Sequence, residues 1–192
     1  MFPDALVRLS SRGAYCSGTL LAPDTVLTCA HFFRQYPNGV TVRSRGKVRT
    51  IRTVDIVPGT DIAVVRIRPF QHLQGASFPE VGAAPSPGQT TATFGFGGRA
   101  RRPQVRDGRW LTRIPLALSR TGSLVRPAGF VFNRTPAVKG DSGGPVLVGG
   151  VIVGIQSLIV DPLGCNSHLA VVNLLPESLR EKVADRTVAE GS

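Results

Sequence analysis

Short apolar runs recur along the chain between glycine- and proline-rich breaks, the spacing of many short strands. Ala5 to Leu9 reads as a first strand. Gly18 to Leu21 and Val26 to Thr28 flank an Ala-Pro-Asp turn, with Pro23 fixing the corner of a hairpin. From Val40 to Arg43 apolar and polar side chains alternate, and a turn or bulge is expected at Gly46. Ile62 to Ile67 is a further strand, closed by Pro69. Thr90 to Phe94 runs into Gly95-Phe-Gly-Gly98, a bend where backbone passes closely. Pro145 to Val148 and Val151 to Ile155 enclose Gly149-Gly150, a two-residue hairpin signal. Only the tail from Pro176 to Ala184 looks helical, with Leu179 and Val183 four apart. This regularity predicts an all-β sandwich or barrel. The stretch from Ala83 to Gly88 is the best linker between two halves.

Composition supports that picture. A chain of 192 residues suits one domain, or one domain of two similar halves. With 42% hydrophobic and 18% charged residues it excludes disorder, and 22 Gly and 15 Pro fit strands joined by turns. Charge adds more: 23 Lys and Arg stand against 12 Asp and Glu, a formal +11. Arginines cluster at Arg43, Arg45, Arg49 and Arg52, and at Arg99, Arg101, Arg102, Arg106 and Arg109. We read them as a solvated basic surface rather than a nucleic-acid or polyanion site, because no aromatics interleave to stack bases. Cys16, Cys29 and Cys165 are an odd count without metal-ligand spacing, so neither metal nor cofactor is expected. The first turns carry Asp4, Arg8 and Arg12 without an apolar core. No signal peptide is therefore read, and the protein is either secreted after loss of a leader or retained in the cell. The longest apolar run, Val146 to Ile155, is about half of a bilayer span, so no membrane partner is expected. Oligomeric state leaves no mark on the sequence.

The chemistry begins at Gly140-Asp141-Ser142-Gly143-Gly144-Pro145. A nucleophilic serine needs an exposed hydroxyl and backbone N–H groups aimed at the developing oxyanion. Glycines on both sides give the backbone that freedom, and Pro145 opens a strand that holds the loop. A base must accompany Ser142. His31 follows the Val26-Leu-Thr-Cys-Ala strand and is held at its end. His72 lies in a polar surface stretch, and His168 either lines a pocket or is structural. The base in turn needs an orienting carboxylate. Asp61 heads the apolar run from Ile62 to Ile67, where a buried carboxylate requires a partner. Asp55 is the runner-up.

Three blocks then stand in order: Ser17 to His31, Asp61 to Ile67, and Gly140 to Pro145. They resemble the signature blocks of the trypsin/chymotrypsin-like serine protease family, in its order His, Asp, Ser, from about Phe2 to the terminal helix. The resemblance implies two packed antiparallel six-stranded β-barrels and a short C-terminal helix. Within a single domain over 1–192, the barrels would cover about 1–82 and 88–175 and the helix about 176–186. It implies a serine endopeptidase that passes through an acyl-enzyme on protein or peptide substrates, with His31, Asp61 and Ser142 catalytic. The alternative is a catalytically silent module of the same fold that binds polyanions or protein partners. The N–H groups of Gly140 and Ser142 would form the oxyanion hole. Ser157, Leu158 and Ile159 match the segment that pairs with substrate, and Pro136 matches the base of the primary pocket.

The chain departs from the family at three places. Phe32 follows His31 where relatives carry a cysteine, and Cys29 lies two residues before it, so pairing of Cys16 with Cys29 is left open. The block Thr28-Cys-Ala-His31 resembles bacterial trypsin-like peptidases, some of them intracellular, so the bacterial cytoplasm joins secretion as an expectation. No Ile-Val-Gly-Gly activation motif is present; either that segment was lost upstream or a basic side chain of this chain satisfies Asp141. Finally, Pro136 offers no counter-charge to Arg or Lys, and Ile159 narrows the pocket mouth. A shallow pocket for small or medium apolar side chains follows, with acidic specificity through His168 and Lys139 as the rival.

Overall fold

A computed structural model describes residues 3–120, 122–161, 164–165 and 167–189; Phe2, where the resemblance begins, lies outside them. The first six strands are β1 (Leu6–Ser11), β2 (Ala14–Ala22), β3 (Thr25–Cys29), β4 (Thr41–Ser44), β5 (Lys47–Ile56) and β6 (Ile62–Ile67). They close into a barrel in the order β1-β2-β3-β6-β5-β4, with β1 pairing β4 to complete it. Along β1 the period is two: Val7, Leu9 and Ser11 point inward, and Leu6, Arg8 and Ser10 are half exposed. Val7 and Leu9 meet Leu20, Val26, Leu27, Val42, Ile62 and Val65 in a core closed to solvent.

The second barrel holds β7 (Thr90–Gly95), β8 (Gln104–Ile114), β11 (Ala128–Asn133), β12 (Pro145–Val148), β13 (Val151–Ile159) and β14 (Leu169–Leu174). Its closed order is β11-β14-β13-β12-β7-β8. A small ribbon of β9 (Ala117–Leu118) and β10 (Leu124–Val125) bridges β8 to β11. Trp110 fills this barrel's core with Val131, Val146, Val153, Val172 and Leu174. Its ring lies where a side chain at position 129 would project, so glycine is required there. The chain thus forms the two six-stranded antiparallel barrels that the resemblance implied.

Several elements correct the pattern-based reading. The tail helix α2 (Glu177–Ala189) is joined by a second helix, α1 (Ala30–Gln35), whose Phe32 and Phe33 are buried. At six residues α1 is too short to show a helical period. Strand β8 was hidden because its inward positions are Arg106, Gly108 and Trp110 rather than an apolar series. Between the barrels, Glu80 and Gly82 hydrogen-bond to Ile152 of β13. Ile152 and Ile155 from β13, with Leu175 and Leu179 from the tail, join the first barrel's core. The two barrels therefore share apolar packing. Among the described residues no helix is long and apolar enough to cross a membrane.

Candidate active site

His31 sits in the first turn of α1, directly after β3, and Asp61 immediately precedes β6, the neighbour of β3 in the barrel. Register brings them together: Cys29 pairs with Ile62, so the residues just beyond face one another. Asp61 is closed to solvent and accepts hydrogen bonds from His31 N at 2.8 Å and His31 Nδ1 at 2.7 Å. Ala30 N also donates to Asp61 O at 2.8 Å. A proton on Nδ1 fixes the tautomer that leaves Nε2 as the acceptor, the state a general base needs. Arg34 Nη1 stands 3.8 Å from Asp61 Oδ1, and its Nη2 donates to Thr60 O at 3.1 Å. Asp55, the runner-up, is exposed on β5, and His72 is exposed in a short turn.

Burial works against a charge on the His31 ring, but Cys29 and the Asp61 carboxylate more than offset it and raise its pKa above 6.5. Cys29 is itself pushed well above its ordinary thiol value by burial. Its Sγ faces His31 Nε2 at 3.7 Å, so the imidazole lies between Cys29 on one side and the Asp61 carboxylate on the other. Cys16, Cys29 and Cys165 are all free thiols, which answers the open pairing question.

Ser142 lies on the loop between β11 and β12, which is tied down on every side. Ser142 O accepts from Ser17 N at 2.8 Å, and Gly143 N donates to Gln156 O at 2.7 Å. Gly143 has φ +80° and packs against Ser17 O and Cys29 N, leaving no space for a side chain. That contact presses the Ser142 loop onto the end of β3, beside His31. Gly140, at φ +103°, packs against the Tyr15 ring. Ser142 is half-buried and its Oγ makes no hydrogen bond among the described residues. The N–H groups of Asp141, Gly143 and Gly144 are all used within the loop and its neighbours. Those of Gly140 and Ser142 donate to no protein acceptor among the described residues. Two unused N–H groups on either side of the engaged Asp141 N–H are what an oxyanion requires.

Asp141, which is closed to solvent, carries the charge that the sequence left without a partner. It accepts from Gly97 N at 2.7 Å, Val138 N at 3.0 Å and Arg106 Nε at 3.1 Å. Arg106 is buried, contrary to its reading as part of a solvated basic surface. Arg106 supplies the cation from inside the second barrel.

Two other residues were missed. Ser17 Oγ donates to Gly140 O at 2.6 Å and accepts from Phe96 N at 2.8 Å, clamping the Ser142 loop and the Gly95 bend onto β2. Asn173, buried on β14, accepts from Asp61 N at 2.7 Å through Oδ1, while its Nδ2 donates to Pro127 O at 3.0 Å and Leu174 O at 3.1 Å. One amide thus joins Asp61 in the first barrel to the second. Asn173→Ala is expected to leave the buried Asp61 N–H without its acceptor and to remove a donor from the Arg126, Pro127 and Leu174 carbonyls, lowering stability by about 1–3 kcal/mol. Urea unfolding checks this, and an unchanged midpoint would contradict it.

Around the expected pocket, Pro136, Leu158 and Ile159 are half-buried and Ser157 is buried at a bulge of β13. Leu158 packs toward Val125, Ala128 and Val171, and Gln156 Nε2 donates to its carbonyl at 2.8 Å. His168 Nδ1 lies 3.0 Å from Asn133 O and 3.1 Å from Arg134 O, and its ring stacks on Phe132 at 5.8 Å.

Comparison with known proteins places these observations in context. A family model for the trypsin-like peptidase domain matches residues 16–155. An uncharacterized peptidase of Corynebacterium glutamicum (strain R) is 27% identical over 170 residues, covering 82% of this chain and 58% of its own length. The chain thus spans little more than half of the curated relatives it matches. Among solved structures, an inactive form of a serine-to-alanine mutant of Rv3671c from M. tuberculosis H37Rv has a TM-score of 0.71. It is 21% identical, with 97% of this chain and 88% of that one covered. The MamO protease domain from Magnetospirillum magneticum, in its apo form, gives 0.71 at 20% identity, covering 94% and 95%. At these identities the structural likeness is one of fold.

Proposed function

Because the chain belongs to the trypsin-like peptidase family, we propose that this domain hydrolyses peptide bonds in proteins by serine-type catalysis. Ser142 is the nucleophile, His31 the general base and then acid, and Asp61 the carboxylate that orients it. The observation that carries this reading is the pair of unused N–H groups, on Gly140 and on Ser142 itself, in a loop whose Gly143 packs against Cys29, two residues before His31.

The reaction follows from that arrangement. Substrate binding brings the scissile carbonyl over Ser142, and His31 Nε2 exchanges its thiol contact for the Ser142 hydroxyl. Hydrogen bonds of this kind are often long before substrate arrives. Oγ attacks the carbonyl carbon, its proton passes to Nε2, and the oxyanion is held by the Gly140 and Ser142 N–H groups. The imidazolium, stabilised by Asp61, then gives its proton to the departing amine, leaving an acyl-enzyme on Ser142. Water repeats the sequence to release the acid. Arg106 keeps the loop ordered without a newly cut N-terminus, because its guanidinium already meets the buried Asp141 carboxylate.

A shallow primary pocket for small or medium apolar side chains fits the half-buried Pro136 and Ile159. His168 Nδ1 is engaged by main-chain carbonyls, which argues against its receiving a substrate carboxylate. Digestion of a peptide library with mass-spectrometric readout tests the specificity. Cleavage after Ala, Val or Leu is expected, and cleavage mainly after Arg or Lys would contradict it.

The raised His31 pKa has a kinetic consequence. The base works only when deprotonated, so kcat/KM should rise with pH along a limb whose midpoint lies above 6.5. Asp61→Asn removes the carboxylate that holds the proton and should move that midpoint down as well as lower the rate. A midpoint that does not move in Asp61→Asn would show that Asp61 does not stabilise the imidazolium.

A further inference from the structure

On the outer surface of the first barrel, away from the candidate site, lies a cleft of about 690 Å³. Arg49, Arg52, Arg68, Thr50, Gln71 and Gln74 line it, and no carboxylate does. Arg49 is set in place: Nη1 donates to Val48 O at 3.0 Å, Nε donates to Pro69 O at 3.2 Å, and the guanidinium lies 5.1 Å from the Phe70 ring centre. Arg52 falls where the β5–β6 register slips between Ile51 and Thr53, so it has no partner across the strand pair. Arg68 follows the last residue of β6. Both are exposed, and neither makes a hydrogen bond or ion pair among the described residues. Three guanidinium groups that share one cleft repel each other until anions enter.

We infer that this cleft is an exosite that binds an acidic segment of the protein substrate. The inference rests on the peptidase reading, which makes a polypeptide the natural ligand. Arginine forks pair with carboxylates, and the amides of Gln71 and Gln74 can both donate to and accept from an extended backbone. The lining has no aromatic side chain on which a base could stack, which disfavours single-stranded nucleic acid. Position fits too. Arg68 stands seven residues beyond Asp61 along β6, roughly 23 Å at about 3.3 Å per residue. An acidic segment held there leaves the bond to be cut free to reach Ser142.

The test uses the Ser142→Ala protein, so binding is read without cleavage and its failure is separate from failure of the catalytic reading. A fluorescein-labelled oligo-glutamate peptide is titrated and followed by anisotropy. Binding that weakens with added salt is expected, with a loss of about tenfold in the Arg52→Gln, Arg68→Gln double variant. An Arg101→Gln, Arg102→Gln variant, with the same net charge, controls for the general field and should retain affinity. Thermal melts confirm that both variants are folded. Absence of oligo-glutamate binding, or equal loss in both variants, overturns the exosite. So does binding of heparin or single-stranded DNA, but not oligo-glutamate, that is lost with Arg52 and Arg68.

Discussion

Ser142→Ala is expected to lower turnover by roughly 10⁴- to 10⁶-fold, with the melting temperature close to that of the unaltered protein. The two halves of this expectation have different causes. Turnover falls because, in the proposed mechanism, the acyl-enzyme forms on this hydroxyl. Stability holds because Ser142 is half-buried and its Oγ makes no hydrogen bond among the described residues, so its loss leaves no buried partner unsatisfied. The backbone bond from Ser17 N to Ser142 O survives the change. Steady-state hydrolysis of an unfolded protein substrate, together with thermal melts, checks both halves. A variant that loses activity and melts much earlier would assign Ser142 to packing.

Arg106→Leu has the reverse profile, a loss of fold and function together. The substitution leaves Asp141 buried with two N–H donors but no cation, a change of about 3–5 kcal/mol for breaking a buried pair. Asp141 immediately precedes Ser142 and its carboxylate anchors the Val138 turn. Activity should therefore fall beyond what the lower folded fraction explains. The double variant Arg106→Leu, Asp141→Asn removes the stranded charge and should recover part of the stability, giving a coupling energy between the two. Denaturant unfolding of the four proteins of this cycle measures it. Additive losses would show that Arg106 and Asp141 act independently.

Much of this was legible because glycines and strand periods report directly on backbone. The Gly140–Pro145 block marked the loop, and its glycines prove to be positions where a Cβ would strike Tyr15, Ser17 or Phe94. Asp61 was legible because a carboxylate heading an apolar strand must find a partner, and it finds His31. What escaped notice were side chains whose role depends on distant packing. Arg106 looked like one more member of a basic cluster, and only barrel closure turns it inward toward Asp141. Asn173 stands in an ordinary apolar strand, and its link to Asp61 spans 112 positions. Ser17 was quoted as part of a block without a role, since the Gly140 carbonyl it serves lies 123 positions away. Periodicity sees the faces of an element; it does not see which element the face will meet.

The most direct test of the account is covalent labelling of the purified protein by a fluorophosphonate probe, with the modified residue located by peptide mass spectrometry. The account predicts a single adduct on Ser142, lost in Ser142→Ala and strongly reduced in His31→Ala. An intact, folded protein that takes no label, or takes it equally without His31, would contradict a serine nucleophile activated by this histidine.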